Sequence, residues 1–163
     1  MNGGRSSTQT RFIADAMLGK LARWMRTLGA DVEFFPEIED SALVDKAVAE
    51  GRVILTRDTL LVKRREARSR SFFVEGDHVG AQLRQVADRF GLPRTPVLDR
   101  CLRCNRPLER EAKAVVAEKV PPYVLKTQEG FSACPSCGRV YWAGTHRRRM
   151  EQDVERMLEE GAD

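Results

Sequence analysis

"RVILTRD", residues Arg52–Asp58, decides how the chain folds. Val53, Ile54 and Leu55 form an unbroken apolar run of β-rich residues, the composition of a strand covered on both faces inside a parallel sheet. Thr56, Arg57 and Asp58 then bring a hydroxyl, a cation and a carboxylate to the strand's C-terminal end. The same pattern recurs on either side. "RFIAD" reads as a short buried strand ending in Asp15. Met17, Leu18, Leu21, Met25 and Leu28 follow at helical spacing, and Gly29 closes the helix. "DVEFF" is a second strand and "PEIED" the loop after it. Asp40 or Ser41 can cap a helix whose apolar face is Leu43, Val44, Ala47 and Val48, stopped by Gly51. Beyond "RVILT", a basic helical piece leads to "SFFV", a fourth strand. Val79, Leu83, Val86 and Phe90 mark a further amphipathic helix, ended by Gly91. Such alternation predicts an α/β fold: a parallel sheet with crossover helices.

The composition, 42% hydrophobic and 32% charged over 163 residues, fits a soluble globular protein. No apolar run is long enough to span a bilayer, and "MNGGRSSTQTR" carries no hydrophobic signal core, so a cytoplasmic location without membrane partners is expected. A net charge of +4 permits nucleic-acid binding without demonstrating it. The cations are clustered in "KRREARSR" (Lys63–Arg70) and "HRRR" (His146–Arg149). Residues 1–10 read as a polar tail, 11–92 as the α/β domain, 93–100 as a Pro-containing linker, 101–144 as a cysteine module and 145–163 as a final helix. That helix is basic first and acidic last, an order that opposes the helix dipole at both ends, so docking or a ligand must stabilise it.

In open parallel sheets, sites form at the carboxyl ends of the strands. Asp15, Asp40, Asp58 and Asp77 follow the four predicted strands in turn. An acidic set of this kind repels itself, and hard divalent cations relieve the repulsion; oxygen ligands favour Mg²⁺ or Mn²⁺ over zinc. Such ions, bridged by a phosphate, make a phosphodiester-cleaving site. Asp15, Asp40 and Asp77 each also stand where a helix cap belongs. "EGDH" offers Glu75 and His78 as alternatives to Asp77.

Cys101-x-x-Cys104 and Cys134-x-x-Cys137 are two metal knuckles separated by 29 residues (105–133). Four thiolates make a closed tetrahedral zinc site, which is structural rather than catalytic. The long separation requires an inserted loop or hairpin, with "KVPPYVLKTQEG" as part of it, and Pro135, Ser136 and Gly138 turn the second knuckle. A redox pair or a disulfide is the alternative. Beside that knuckle, "RVYWAGTHRRRM" sets Trp142 and His146 among Arg147, Arg148 and Arg149, and aromatics interleaved with cations suit RNA, whose bases stack while its phosphates pair. Trp142 reads equally as core, and the arginines as a solvated helix face.

"FIADAMLGKLARWMRTLGAD", "VILTRD", "RCLRCN" and "CPSCGRVYWAGTH", in this order, resemble the PIN-like ribonuclease family named for the C-terminal domain of the Mut-seven exonuclease, over about residues 11–150. The resemblance implies a PIN-like parallel sheet with flanking helices, followed by a small zinc ribbon and a C-terminal helix. It implies an endoribonuclease that uses Mg²⁺ or Mn²⁺ on Asp15, Asp40, Asp58 and Asp77, with structural zinc on the four cysteines. RNA, single-stranded or structured, is the implied partner. Lys20, Arg23, Arg57, Lys63, Arg64, Arg65, Trp142, His146, Arg147 and Arg148 are its expected contacts. Two rivals are a non-catalytic RNA-binding adaptor and a receiver-like signalling domain.

Overall fold

The computed structural model of the protein describes residues 9–159. Residues 1–8 of the expected tail and 160–163 of the expected final helix lie outside the described residues. Four parallel strands, β1 (Arg11–Ala14), β2 (Asp31–Phe34), β3 (Val53–Thr56) and β4 (Ser71–Phe73), form a sheet in the order β2-β1-β3-β4. Ile13 stands opposite Ile54, and Ala14 opposite Leu55. Because side chains alternate along a strand, Phe12, Ala14 and Leu55 go to one core and Ile13 and Ile54 to another. The first face is covered by α1 (Gly19–Thr27) and α3 (Val79–Phe90), the second by α2 (Asp40–Glu50) and a 3₁₀ turn at Leu61–Lys63.

Three local expectations are corrected. Val48 is 45% exposed, while Leu43, Val44 and Ala47 are buried; at 3.6 residues per turn Val48 lies about 140° round from Leu43, beyond the stripe that meets the sheet. Glu39, not Asp40 or Ser41, occupies the N-cap position of α2, with no side-chain cap bond. The basic stretch after Asp58 is a 3₁₀ turn and further turns rather than a helix, pinned by buried Leu61 and Ala67.

The final helix α6 (Thr145–Glu159) docks on the sheet half: Val154 and Leu158 are buried in the same core as Leu83 and Val86. Gly80 lets α3 and α6 come close, since a Cβ at that position would lie 3.1 Å from Met157 Cγ. Arg84 donates to Met157 O (3.2 Å) and Arg94 to Leu158 O (3.1 Å). These cations sit at the negative end of the helix dipole and offset the acidic side chains there.

Between the two halves, the expected linker is strapped down. Pro96 is buried, and Val97 N–H and Leu98 N–H donate to Thr27 O at 2.9 and 3.3 Å. The ribbon is an antiparallel sheet of β5 (Glu109–Glu111), β6 (Phe131–Ala133) and β7 (Val140–Trp142). Its insert folds as α4 (Lys113–Val116) and α5 (Pro122–Thr127), which close a small core of Val116, Val120, Val124 and Phe131.

Candidate functional site

The strand order makes β1 and β3 neighbours although β2 lies between them in sequence, so the chain switches direction across this pair. The crevice beyond the carboxyl ends of such a pair is where open α/β sheets hold ligands. Asp15 stands at its base, only 8% exposed. Asp15 N–H donates to Leu55 O (2.9 Å), and Thr56 Oγ1 donates to Asp15 Oδ2 (2.8 Å). The same hydroxyl oxygen accepts Asp58 N–H (2.9 Å), so Thr56 ties the two acids together. Asp58 Oδ1 in turn accepts Leu60 N–H (2.8 Å) and Leu61 N–H (3.4 Å), and the acid thereby opens the 3₁₀ turn. Asp15 Oδ1 and Asp58 Oδ2 accept no hydrogen bond from a described residue.

The other two acids face cations. Asp40 lies 3.9 Å from Arg64 Nη2; Asp77, 83% exposed, lies 2.9 Å from Arg57 Nη2. Arg57 Nε is buried with no partner among the described residues. The four aspartates thus follow the four strands, but the structure links only Asp15 and Asp58. Among the described residues, no three carboxylates lie mutually within the 4.8 Å that the cysteines achieve. His78 is exposed at the N-cap position of α3, and Glu75 pairs its backbone with Gln85. Sequence reasoning gives Thr56 no role of its own; the only local signal is a hydroxyl at the end of a buried strand, two residues before Asp58, because its second partner, Asp15, lies 41 residues away in the chain.

The two cysteine knuckles are built alike. Cys101 N–H donates to Arg106 O (2.8 Å) and Cys134 N–H to Arg139 O (2.9 Å). Asn105 N–H returns to Cys101 O, and Gly138 N–H to Cys134 O, both at 2.9 Å. These closing turns need a left-handed residue after the second cysteine: Asn105 has φ 66° and Gly138 φ 75°. All four Sγ atoms lie within 4.8 Å of one another, and Cys101 and Cys137 are 3.7 Å apart. Tetrahedral zinc with Zn–S near 2.3 Å sets its sulfurs about 3.8 Å apart, whereas a disulfide needs about 2.05 Å. The cysteines are free, and the cluster fits one zinc ion. Burial pushes the Cys101 thiol up, but hydrogen bonds from Tyr141 and from the backbone of Cys104 and Arg103 outweigh it and bring it to about 7. Burial and the adjoining sulfurs of Cys137, Cys101 and Cys134 push Cys104 up to about 12. A divalent cation relieves that conflict among neighbouring thiolates.

The halves are joined by buried polar groups that the sequence did not single out. Arg26 Nε donates to Val32 O (2.9 Å), and its Nη1 to Leu102 O (2.8 Å) and Arg103 O (3.4 Å). Asn105 accepts Val32 N–H (2.9 Å) and donates to Asp31 Oδ1 (2.7 Å), which also accepts from Arg52 Nη1 (2.7 Å). Burial pushes the Asp31 carboxyl up, but the Arg52 and Asn105 hydrogen bonds prevail and hold it below its ordinary value. Burial opposes the charge on Arg26 and lowers its pKa.

Four of the expected RNA contacts, Arg23, Trp142, His146 and Arg147, line one open groove of about 490 Å³ between α1, the ribbon and the start of α6. Arg139 and Tyr141 line it too. Lys20, Lys63, Arg65 and Arg148 are exposed outside this groove's lining, and Arg57 and Arg64 face the acids instead. No helix among the described residues is long and apolar enough to cross a membrane.

A parallel α/β sheet with an acidic carboxyl edge, joined to a four-cysteine ribbon, defines the class. The family model described as the Mut7-C RNAse domain matches residues 10–154, and the chain belongs to that family, whose description points to a ribonuclease-related function. Comparison with curated proteins and with solved structures finds no match for the chain.

Proposed function

We propose that the chain is an endoribonuclease that uses Mg²⁺ or Mn²⁺ held by Asp15 and Asp58, with Asp40 and Asp77 completing the acidic edge. The observation that carries this reading is the Thr56 hydroxyl between Asp15 and Asp58 at the switch between β1 and β3. It fixes one oxygen of Asp15 and leaves the other for a hard cation, and the oxygen-only donor set suits Mg²⁺ or Mn²⁺. A bound ion supplies Lewis-acid polarisation of the phosphate and a water activated at neutral pH. Arg57 and Arg64 stand beside the acids, where a guanidinium can orient a phosphate. The cysteine-bound zinc has no open position and supports the ribbon.

Cleavage of a labelled single-stranded RNA by zinc-loaded protein tests this. The parent should cut only with added Mg²⁺ or Mn²⁺, and Asp15→Asn should lose on the order of a hundredfold or more in rate. Cleavage that Asp15→Asn and Asp58→Asn leave intact contradicts the assignment. One observation favours a non-catalytic RNA-binding adaptor: the Arg57–Asp77 and Arg64–Asp40 pairs balance two acids without any ion. RNA binding without cleavage in either metal decides for the adaptor.

A further inference from the structure

We propose that the groove between α1, β7 and α6 grips an unpaired stretch of RNA, its phosphates on Arg23, Arg139 and Arg147 and a base against Trp142 and His146; the choice of RNA rests on the ribonuclease reading above. The groove's lining contains no carboxylate. Arg23 and Arg139 form no ion pair among the described residues, and Arg139 lies 5.9 Å from the Tyr141 ring centroid. Among the described residues, the Arg147 side chain is engaged only by the exposed Glu151, 3.2 Å away one turn along α6. Such a pair exchanges readily for a phosphate. Two cations without an ion pair among the described residues, and a third held by an exchangeable surface pair, are thus available to phosphates.

The apolar part of the lining tells against a duplex. Leu98, Leu102 and Met150 contribute to it, and half-buried Trp142, packed at 6.4 Å against Phe131, adds its remaining surface. An A-form duplex turns its base faces inward and offers only phosphates, hydroxyls and base edges. A splayed single strand brings base faces that stack on aromatics. The volume of about 490 Å³ falls in the range of ligand-holding clefts. The wall is also fixed in place: Tyr141 OH accepts Leu102 N–H (3.1 Å) and lies 3.3 Å from Cys101 Sγ, tying β7 to the first knuckle.

Anisotropy of a labelled oligouridylate with zinc-loaded protein and no added Mg²⁺ or Mn²⁺ reads binding while cleavage is silent. The parent should bind the single strand well and a hairpin duplex of equal charge at least about fivefold more weakly. Arg23→Gln with Arg147→Gln, both at exposed positions, should weaken binding about tenfold and flatten the salt slope by about 1.4, the value for two single-strand phosphate contacts. Trp142→Phe, which keeps an aromatic against Phe131, and His146→Ala should each weaken it about threefold or more. Unchanged binding in these variants, or a duplex that binds equally, overturns the proposal. So does competition by polyglutamate at equal charge, which makes the groove a protein-docking site. If the parent binds through the groove yet never cleaves with Mn²⁺, the groove stands and the nuclease reading falls. If cleavage with Mn²⁺ persists while the variants bind like the parent, the groove falls and the nuclease reading stands.

Discussion

Around the parallel sheet, Phe12, Leu21, Met25, Leu28, Leu83 and Val154 are fully buried in one cluster drawn from strands and helices far apart in sequence. The cysteine ribbon has Val116, Val120, Val124 and Phe131. Burying a large apolar side chain contributes roughly 1.5–3 kcal/mol, while ordering each residue's backbone costs about 1–2 kcal/mol. The sheet half can meet that cost by burial. Four buried side chains, with Leu125, Val140 and Trp142 partly buried against them, cannot meet it for a module running from Cys101 to Trp142, so the ribbon is expected to depend on a metal held by its four cysteines.

The largest effect should come from removing that metal. Zinc binding to cysteine modules is worth about 10–16 kcal/mol of apparent free energy at neutral pH. Chelation or Cys134→Ser should therefore abolish hydrogen-exchange protection in β6 and β7 while β1 and β3 keep most of theirs. A ribbon that stays protected without zinc would break the contrast.

Arg26→Met probes the joint between the halves. It leaves Val32 O and Leu102 O without their donor and should cost about 2–4 kcal/mol in urea unfolding. A loss confined to the ribbon would sharpen the contrast by showing that the halves unfold separately.

Smaller still is the acid limb of the stability curve. The Asp31 carboxyl is held below its ordinary 3.8, so its contribution is present above that pH and is lost as pH falls through the lower folded value. Part of Asp31 is exposed, so the effect should be about 1 kcal/mol or less. Asp31→Asn should flatten stability below about pH 4, and an unchanged limb would assign the acid sensitivity to other carboxyls.

The smallest effect is expected at Gly80. Alanine gains about 1 kcal/mol of helix propensity, while its Cβ would lie 3.1 Å from Met157 Cγ, 3.4 Å from its Cβ and 3.6 Å from its backbone Cα, so a shift of a few tenths of an ångström between α3 and α6 offsets that gain. Gly80→Ala should melt within about 1 kcal/mol of the parent. A larger loss would mean that α6 cannot shift on α3.

The parts legible in the sequence are those fixed by neighbours in the chain. Apolar runs gave the four strands, Gly51 and Gly91 at φ 66° and 68° stop their helices, and each Cys-x-x-Cys closes its own turn. Arg26, Arg52 and Asn105 could not be read, because their partners lie across the fold: Asn105 bonds Asp31 and Val32, and Arg26 bonds Leu102. Arg26 looks like one more polar residue of α1 until Leu102 is beside it. The final helix was legible as a helix with mismatched charges, but Arg84 and Arg94, which offset its acidic end, come from α3 and the strap. At the acidic edge, "LTRD" displayed its chemistry, yet the Thr56 link depends on β1 and β3 lying side by side.

Thermal melting of the zinc-loaded parent and Asp58→Asn, each with and without Mn²⁺ and without chelator, tests the metal-site claim most directly. Asparagine keeps an Oδ1 for the Leu60 and Leu61 N–H groups, so without Mn²⁺ the variant should melt at or slightly above the parent, one negative charge having left the edge. With Mn²⁺ at about a hundred times its dissociation constant, the parent should gain about 2.7 kcal/mol. The variant should gain distinctly less, and the order of the two should reverse. Equal shifts in both proteins would contradict a metal at Asp58.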